Sequence, residues 1–162
     1  MTTIYYLEIT DPDRLNPKEC PAGPYRVDEC VPKLWQLNRF MYRLVGDHWQ
    51  WFDKLPWTDD QWQRYVDDPA LRTWMLYHRG TPAGYYELRR TDETSTEIAY
   101  FGLVPQFIGK GLGGFLLTHA IRTAFDNGAQ RVWVHTCSKD HPQALANYQA
   151  RGMTLFKTEE QS

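Results

Sequence analysis

The stretch Gln106–Gly114, QFIGKGLGG, places four glycines within six consecutive positions, directly before a segment with helical periodicity. Glycine inside a helix costs about 1 kcal/mol relative to alanine, so this concentration needs a reason. The first turn of a helix has backbone N–H groups without partners, and the helix dipole adds positive charge there. Without β-carbons, phosphate oxygens can approach these amides closely. The stretch therefore predicts a phosphate-binding loop, to which Lys110 would add a positive charge.

Dinucleotide-binding and Walker A loops are also rich in glycine, but both fit this sequence less well. Gly109, Gly111 and Gly114 match the spacing of the dinucleotide-binding fingerprint, but a Rossmann domain places that motif after its first strand. Here the motif lies about two-thirds along the chain. A Walker A loop requires Gly-Lys-Ser/Thr, which does not occur in the sequence. Close packing between a helix and a strand remains a purely structural alternative.

The composition is that of one globular domain. With 162 residues, of which 42% are hydrophobic, the chain is long enough to bury a core. A net charge of −2 gives no general attraction to nucleic acids or anionic membranes, and no apolar run is long enough to span a bilayer. The N-terminal MTTIYYLEIT lacks the features of a signal peptide. We therefore expect a cytoplasmic protein with no nucleic-acid or membrane partner.

Hydrophobic periodicity predicts a mixed α/β fold in a single domain, residues 1–162. The predicted order is strand 4–9, helices 33–52 and 58–68, strands 72–78, 83–90 and 96–104, helix 109–126, strand 131–136, helix 141–151 and strand 153–157. Short turns between the three middle strands indicate an antiparallel meander. Thr58 and Gln61 form a capping-box pattern, and Pro142 is placed to open the last helix. Residues 10–32 are predicted to be a loop with at most a short helical turn.

Two motifs together resemble those of GCN5-related N-acetyltransferases. Gln106-x-x-Gly109-x-Gly111 is similar to the family's Arg/Gln-x-x-Gly-x-Gly/Ala signature, and residues 97–105, EIAYFGLVP, are similar to its fourth strand. Residues 141–153, HPQALANYQARGM, are similar to the family's Asn-Pro-x-Ala-x-x-x-Tyr-x-x-x-Gly-Phe helix. Two motifs in this order are far more specific than either alone. The resemblance covers residues 72–157, whereas the earlier part of the chain matches in element order only.

The resemblance implies a central, mostly antiparallel sheet, flanked by helices, whose fourth and fifth strands splay apart to admit acetyl-CoA. Residues 72–157 would form the sheet and the acetyl-CoA-binding core, and residues 1–71 the variable acceptor side. The pantetheine arm would pair with strand edges at residues 100–104 and 132–136, as an added strand does. The implied cofactor-binding residues are Leu103, Val104, Gln106, Phe107, Ile108, Gly109, Lys110, Gly111, Leu112, Gly113, Gly114, His141 and Tyr148.

The implied reaction is acetyl transfer from acetyl-CoA to a primary amine of a small molecule or peptide. Alkylamines are mostly protonated at neutral pH, so a base must remove a proton before the amine attacks the thioester. Glu97 is the first candidate for this base and Glu87 the second, whereas His119 is expected to pack against the sheet. A backbone N–H near Leu103 would stabilise the oxyanion, and Tyr148 would donate a proton to the departing thiolate.

Three features depart from the family pattern. His141 stands where the family has Asn, Met153 where it has Phe, and the chain ends soon after its last strand. His141 would weaken or replace a polar contact to the cofactor, whereas Met153 is a conservative apolar change. The short end raises the expectation of an incomplete final strand, or of one supplied by a second copy in a homodimer.

The acceptor is the least specified part of this interpretation. Six tryptophans between Trp35 and Trp74 are interleaved with acidic residues, which suits a cationic amine but is also typical of a core or a lid. Tyr85, Tyr86 and Tyr100 are candidates for the other wall of an acceptor site. Because side chains alternate along a strand, Tyr85 and Tyr86 must point to opposite faces.

The sequence gives little support to a metal site or a disulfide framework. His135, Cys137 and His141 form a loose group without a fourth ligand at zinc-like spacing, so we expect no metal. The three cysteines are scattered and odd in number.

Two further functions are compatible with the sequence: a non-catalytic CoA-binding or sensor module of the same fold, and a peptide-binding domain that uses exposed aromatic residues.

Overall fold

The computed structural model describes residues 1–49 and 51–162. Its strands are β1 (Thr2–Ile9), β2 (Tyr25–Glu29), β3 (Leu71–His78), β4 (Thr81–Arg90), β5 (Ser95–Leu103), β6 (Arg131–Cys137) and β7 (Thr154–Gln161). They form one seven-stranded sheet in the order β2-β3-β4-β5-β6-β1-β7. Neighbouring strands are antiparallel except for the parallel pair β5 and β6. The expected mixed α/β fold with a mostly antiparallel sheet is confirmed.

Helices cover both faces of this sheet. They are α1 (Trp35–Gly46), α2 (Asp59–Asp67), α3 (Leu112–Asp126) and α4 (Ala144–Ala150), with 3₁₀ turns at Pro12–Arg14 and Pro105–Phe107. On one face α3 and α4 enclose the larger apolar core. On the other face α1 packs Met41 and Val45 against Met75 and Tyr85 of the sheet. Within the described residues, no helix has the length and apolar character needed to cross a membrane.

Strand β2 is the element that the sequence pattern did not predict, because the apolar alternation in YRVDE is limited to Tyr25 and Val27 and lies in a segment rich in Pro, Asp and Glu. Its position depends on β3, with which it pairs along its whole length. Glu29 accepts two hydrogen bonds from the guanidinium of Arg72 on β3, at 2.7 and 2.8 Å. A partly polar segment at the edge of the sheet is thus held by cross-strand contacts together with the packing of Tyr25 and Val27 against the core.

Helix boundaries follow local capping interactions. At α2, the predicted capping box is confirmed: Gln61 N–H donates to Thr58 Oγ1 at 3.2 Å, and Thr58 N–H donates to Gln61 Oε1 at 2.8 Å. The last helix begins at Ala144 rather than at residue 141, so Pro142 lies before the helix and not in its first turn. The reason is a local turn, in which Gln143 N–H donates to the Nδ1 atom of residue 141 at 3.0 Å.

Strand β1 lies between β6 and β7, the two strands nearest the C-terminus of the chain. It pairs with β6 on one side and with β7 on the other, so that Leu7 stands opposite both Val134 and Leu155. Strand β7 reaches Gln161, beyond the predicted end at Lys157. The final strand is therefore formed within this chain, against its own first strand.

Strands β5 and β6 are the predicted fourth and fifth strands, numbered one higher because β2 was not predicted. They splay apart, as the resemblance implies. They are paired only at their first three residues, 95–97 opposite 131–133. Beyond these residues, the described parts of β5 and β6 are no longer paired with each other. Val132, which we expected at the open edge, is paired with Thr96. The gap therefore begins after Trp133, between the later parts of the two strands.

Candidate active site

The glycine-rich loop leads into the N-terminus of α3. Gly111 is the N-cap residue with a φ of 80°, a left-handed conformation that glycine adopts without strain. The N–H groups of Phe107 and Ile108 are already used in the preceding 3₁₀ turn, at 2.8 and 3.2 Å from carbonyl oxygens. The backbone amides open to an anion therefore start at Gly109 and continue into the first turn of α3.

Gly113 and Gly114 differ in what explains their missing side chains. A β-carbon at Gly114 would overlap the guanidinium of Arg151 and the stem of Lys18. A β-carbon at Gly113 would fit at an ordinary contact distance, since the nearest atom is Asn147 Nδ2 at 3.7 Å. Packing within the chain thus accounts for Gly114. It does not account for Gly113, where the open space suits the close approach of a ligand.

Two basic residues that the sequence pattern did not single out stand beside this helix start. Lys18 comes from the loop before β2, and Arg151 follows α4. Thr118 on α3 accepts a hydrogen bond from the backbone N–H of Lys18 at 2.9 Å, which fixes the loop against the helix. The Nε atom of Arg151 is buried and has no hydrogen-bond partner among the described residues. An unused guanidinium donor at a helix N-terminus suits a phosphate group.

A cavity of about 520 Å³, here called the glycine-loop cavity, lies between this loop, α4 and the end of β5. Nine of the thirteen expected cofactor-binding residues line it: Leu103, Ile108, Gly109, Gly111, Leu112, Gly113, Gly114, His141 and Tyr148. The other four, Val104, Gln106, Phe107 and Lys110, are not part of the lining. Val104 is buried in the core, and the ring of Phe107 packs against His78.

His141 is held at the wall of the glycine-loop cavity from two sides. Its ring lies against Trp49, with 4.6 Å between the ring centroids. Its backbone N–H donates to Asp140 at 2.8 Å, and its Nδ1 atom accepts a hydrogen bond from the backbone of Gln143. In the neutral ring the proton is therefore on Nε2. His141 can offer this N–H as a donor, as the amide of the family's usual Asn would.

A second cavity of about 590 Å³, here called the aromatic cavity, lies between the loop at residues 51–54, β5 and β6. Its lining combines aromatic rings with acidic and basic side chains: Trp51, Phe52, Asp53, Lys54, Tyr65, Arg89, Glu97, Tyr100 and His135. Of the three tyrosines considered for an acceptor site, Tyr100 faces this cavity. Tyr85 and Tyr86 are fully buried on opposite faces of the sheet, as alternation requires.

The Trp-rich segment contributes both to the core and to the cavities. Trp62 of α2 is buried with Tyr42 of α1 in an aromatic cluster. Trp51 lines the aromatic cavity, and Trp49 lines the glycine-loop cavity. The two expectations for this segment, a packed core and a site wall, therefore apply to different tryptophans.

The two cavities are adjacent and share three lining residues, Phe101, Asp140 and Tyr148. Tyr148 is 4% exposed, and its ring packs edge-on against Phe101. Burial, and then the charge of Asp140, raise the pKa of the Tyr148 phenol well above its usual range. The phenol therefore keeps its proton at neutral pH. It can donate a hydrogen bond at the point where groups from the two cavities would come together.

Glu97 and His135 form a hydrogen-bonded pair at the aromatic cavity, where β5 and β6 begin to part. His135 Nδ1–H donates to Glu97 Oε2 at 2.9 Å. This hydrogen bond outweighs burial and raises the pKa of His135. The sequence pattern indicates a strand position for His135 and does not indicate its pairing with Glu97. The strand register would have revealed the pair, since Glu97 stands opposite Trp133, two residues before His135.

Glu87, the second candidate for the base, is enclosed in the core at 1% exposure. It accepts hydrogen bonds from Asn38 at 2.8 Å and from the hydroxyl of Tyr65 at 2.5 Å. Burial raises the pKa of Glu87 despite these two hydrogen bonds. Glu87 lines neither the glycine-loop cavity nor the aromatic cavity, so of the two candidate bases Glu97 is the one that a ligand would meet.

In the part of the chain that the structure describes, no three His, Cys, Asp or Glu residues are grouped closely enough to hold a metal ion. His119 packs against the sheet as expected, with its Nδ1 atom 2.7 Å from the hydroxyl of Tyr86. The three cysteines are free.

Comparison with known proteins identifies a family, and relatives that match part of the chain. The sequence model of the acetyltransferase (GNAT) family matches residues 32–153. Uncharacterised N-acetyltransferases of Mycobacterium bovis and Mycobacterium tuberculosis are 33% identical over 76 residues, which is 47% of this chain and 49% of each relative. The match to these curated relatives therefore spans about half of their length.

Two solved structures share the fold. A GCN5-related N-acetyltransferase from Kribbella flavida aligns with 96% of this chain and 55% of its own, with a TM-score of 0.69 and 20% identity. A GNAT family acetyltransferase from Elizabethkingia anophelis, solved with acetyl-CoA bound, aligns with 67% of this chain and 62% of its own, with a TM-score of 0.50 and 16% identity. Since the family model covers well over half of the residues, the chain belongs to the acetyltransferase (GNAT) family.

Proposed function

We propose that the protein transfers an acetyl group from acetyl-CoA to a primary amine by direct attack of the amine on the thioester. The observation that carries this proposal is that two adjacent cavities share Tyr148 as a lining residue. One cavity has the open amides and basic side chains that suit a diphosphate. The other has a base and aromatic rings that suit an amine.

On the donor side, the first turn of α3 supplies backbone N–H groups from Gly109 onward for the diphosphate of acetyl-CoA. Arg151 and Lys18 add positive charge at the same place. The gap between β5 and β6 leaves strand edges with which the amides of the pantetheine arm would pair. This arrangement directs the thioester towards the junction of the two cavities.

On the acceptor side, we assign removal of the amine proton to the Glu97–His135 pair. A neutral imidazole can take a proton from the ammonium group, directly or through water. Glu97 then stabilises the imidazolium through the hydrogen bond at Nδ1. The raised pKa of His135 makes the ring a stronger base than an isolated histidine.

The tetrahedral intermediate and the leaving group need their own donors. Val104 N–H donates to the carbonyl of Ala83 on β4, at 2.8 Å. Because the N–H groups of an antiparallel strand alternate in direction, the N–H of Leu103 is directed away from β4, towards the gap. It is our candidate oxyanion donor. The phenol of Tyr148 donates to the sulfur as the carbon–sulfur bond breaks.

The proposal is tested by combining titration calorimetry with an assay of CoA thiol release. We expect acetyl-CoA to bind and thiol release to increase with at least one primary amine from a panel of polyamines, aminoglycosides, arylalkylamines and lysine peptides. The matched alcohols should give no increase. Binding of acetyl-CoA without thiol release for any amine would instead support the non-catalytic CoA-binding module.

A further inference from the structure

Lys54 extends into the aromatic cavity from the loop between α1 and α2, and its side chain is 12% exposed. Its Nζ atom lies 3.0 Å from the hydroxyl of Tyr100 and 3.2 Å from the carboxylate of Asp53. The centroids of the Trp57, Tyr65 and Tyr100 rings are 4.5, 5.0 and 4.8 Å from Nζ. A set of aromatic faces together with a carboxylate is an arrangement that recognises an alkylammonium ion.

This set of contacts is supported by further hydrogen bonds. Asp53 accepts hydrogen bonds from the hydroxyls of Tyr100 and Tyr42, at 2.6 and 2.9 Å. The backbone N–H of Lys54 donates to the hydroxyl of Tyr42 at 3.0 Å. Burial alone would raise the pKa of Asp53, but the hydrogen bond from Tyr100, the charge of Lys54 and the hydrogen bond from Tyr42 together lower it. The carboxylate therefore stays ionised beside the ammonium group.

Lys54 carries the functional group that the proposed reaction consumes, a primary alkylamine. The chain has six lysines, and among the residues described as lining the aromatic cavity, Lys54 is the one lysine. Glu97, His135 and Tyr148 line the same cavity. A primary amine, a base pair and the phenol of Tyr148 thus line one cavity.

We propose that Lys54 is an internal acceptor, so that without a free amine the protein acetylates the Nζ atom of its own Lys54. This inference rests on the proposed function. The flexible four-carbon stem lets Nζ move from the rings along the cavity to the thioester. The ammonium gives one proton to the Glu97–His135 pair, and the nitrogen attacks the carbonyl carbon of acetyl-CoA. The nitrogen–carbon bond forms and the carbon–sulfur bond breaks. The thiolate takes a proton from the Tyr148 phenol, which regains one from the second N–H of the attacking nitrogen, leaving acetyl-lysine and free CoA.

The test uses the whole protein with acetyl-CoA and no added amine, followed by intact mass measurement and peptide mapping. We expect one acetyl group, on Lys54, formed with a first-order rate that does not depend on protein concentration. K54R keeps the positive charge and should abolish this modification. The control K157R, at a lysine paired with Glu159 on the surface, should react like the wild type. Y148F should slow acetylation of Lys54 about 100-fold.

Exposed lysines serve as an internal control, because uncatalysed acetylation modifies accessible amines first. Acetyl groups on the exposed Lys110 and Lys139 with Lys54 unmodified would overturn the inference, as would a rate that rises with protein concentration. If an added amine gives normal thiol release while Lys54 stays unmodified, the inference is wrong and the proposed function stands. If acetyl-CoA binds but neither reaction occurs, both are wrong.

Discussion

Tyr148 is the residue at which chemistry can be separated from cofactor binding. In Y148F the ring still packs against Phe101, but the hydroxyl at the junction of the two cavities is lost. We expect kcat to fall about 100-fold, as when a proton donor to the leaving group is removed, with the Kd for acetyl-CoA nearly unchanged by calorimetry. Y86F is the matched control, because Tyr86 is buried next to His119 and lines neither cavity. Normal turnover with weakened binding would contradict this role.

As the proposed base, the Glu97–His135 pair should make activity depend on pH in a defined direction. Its hydrogen bond raises the pKa of His135, and only the neutral ring can accept a proton. The value of kcat/KM should therefore rise with pH through this raised pKa. In E97Q the pKa of His135 should fall towards about 6.5, which moves the rising limb to lower pH. An NMR titration of His135 checks the pKa, and a pH profile that does not move would argue against this base.

The same pair contributes to stability with the opposite dependence on pH. A histidine whose pKa is raised in the folded state stabilises the fold fully below its unfolded pKa of about 6.5. The contribution is lost as the pH rises through the folded pKa. The difference in free energy of unfolding between wild type and E97Q should therefore be largest in mildly acidic solution and shrink above neutrality.

At the scale of single residues, the sequence alone identified those candidate site residues that belong to short linear motifs. The glycines and Tyr148 belong to linear motifs, so their places could be predicted. His135 pairs with a residue 38 positions away, and Lys18 is fixed to a residue 100 positions away. Such contacts have no signature in the local pattern. They arise from the register and crossing of distant elements.

Among the helices, two glycines should respond to the same substitution in opposite ways. Alanine at Gly113 fits among the chain's own atoms, so G113A should be as stable as the wild type or more stable, by up to about 1 kcal/mol, while binding acetyl-CoA less tightly. Gly152, after α4, has a φ of 106°, and a β-carbon there would overlap the carbonyl of Arg14. G152A should therefore lose about 1–3 kcal/mol of stability from backbone strain alone. Urea unfolding and calorimetry on both variants measure this contrast, and equal effects on stability would contradict it.

Secondary-structure prediction from the sequence was correct where the signal lies within a few neighbouring residues. The capping box at Thr58 and Gln61 involves residues three positions apart, and the structure forms it as expected. Strand β2 has no such signal, because its partly polar residues become a strand only through their pairing with β3. The start of α4 shifted because the side chain at position 141 forms a turn of its own.

For the whole molecule, the decisive feature is that β1 joins β6 to β7. Leu7 is fully buried at the centre of this arrangement. L7A should therefore cost about 2–5 kcal/mol of stability, and hydrogen exchange should become faster in β6 and β7 together. The matched control is L155A, because Leu155 is paired with Leu7 but is 39% exposed. That variant should change stability by less than about 1 kcal/mol. Faster exchange confined to β1 would contradict the coupling.

The position of β1 also marks the limit of sequence-based prediction at this scale. The periodicity of residues 4–9 indicates a strand, but nothing local indicates that it inserts beside a strand more than 120 residues later. The order of a sheet is decided by long-range packing, in which every strand must find a buried face. The family resemblance supplied the splayed pair of strands, but it did not supply the place of β1 between β6 and β7.

The junction of the two cavities has a consequence for the order of events in catalysis. In the proposed reaction, donor and acceptor would occupy different cavities, which share Phe101, Asp140 and Tyr148 as lining residues. Neither has to depart before the other arrives, so no acylated form of the enzyme is required as a relay between two half-reactions. Initial-velocity plots with both substrates varied should give intersecting rather than parallel lines.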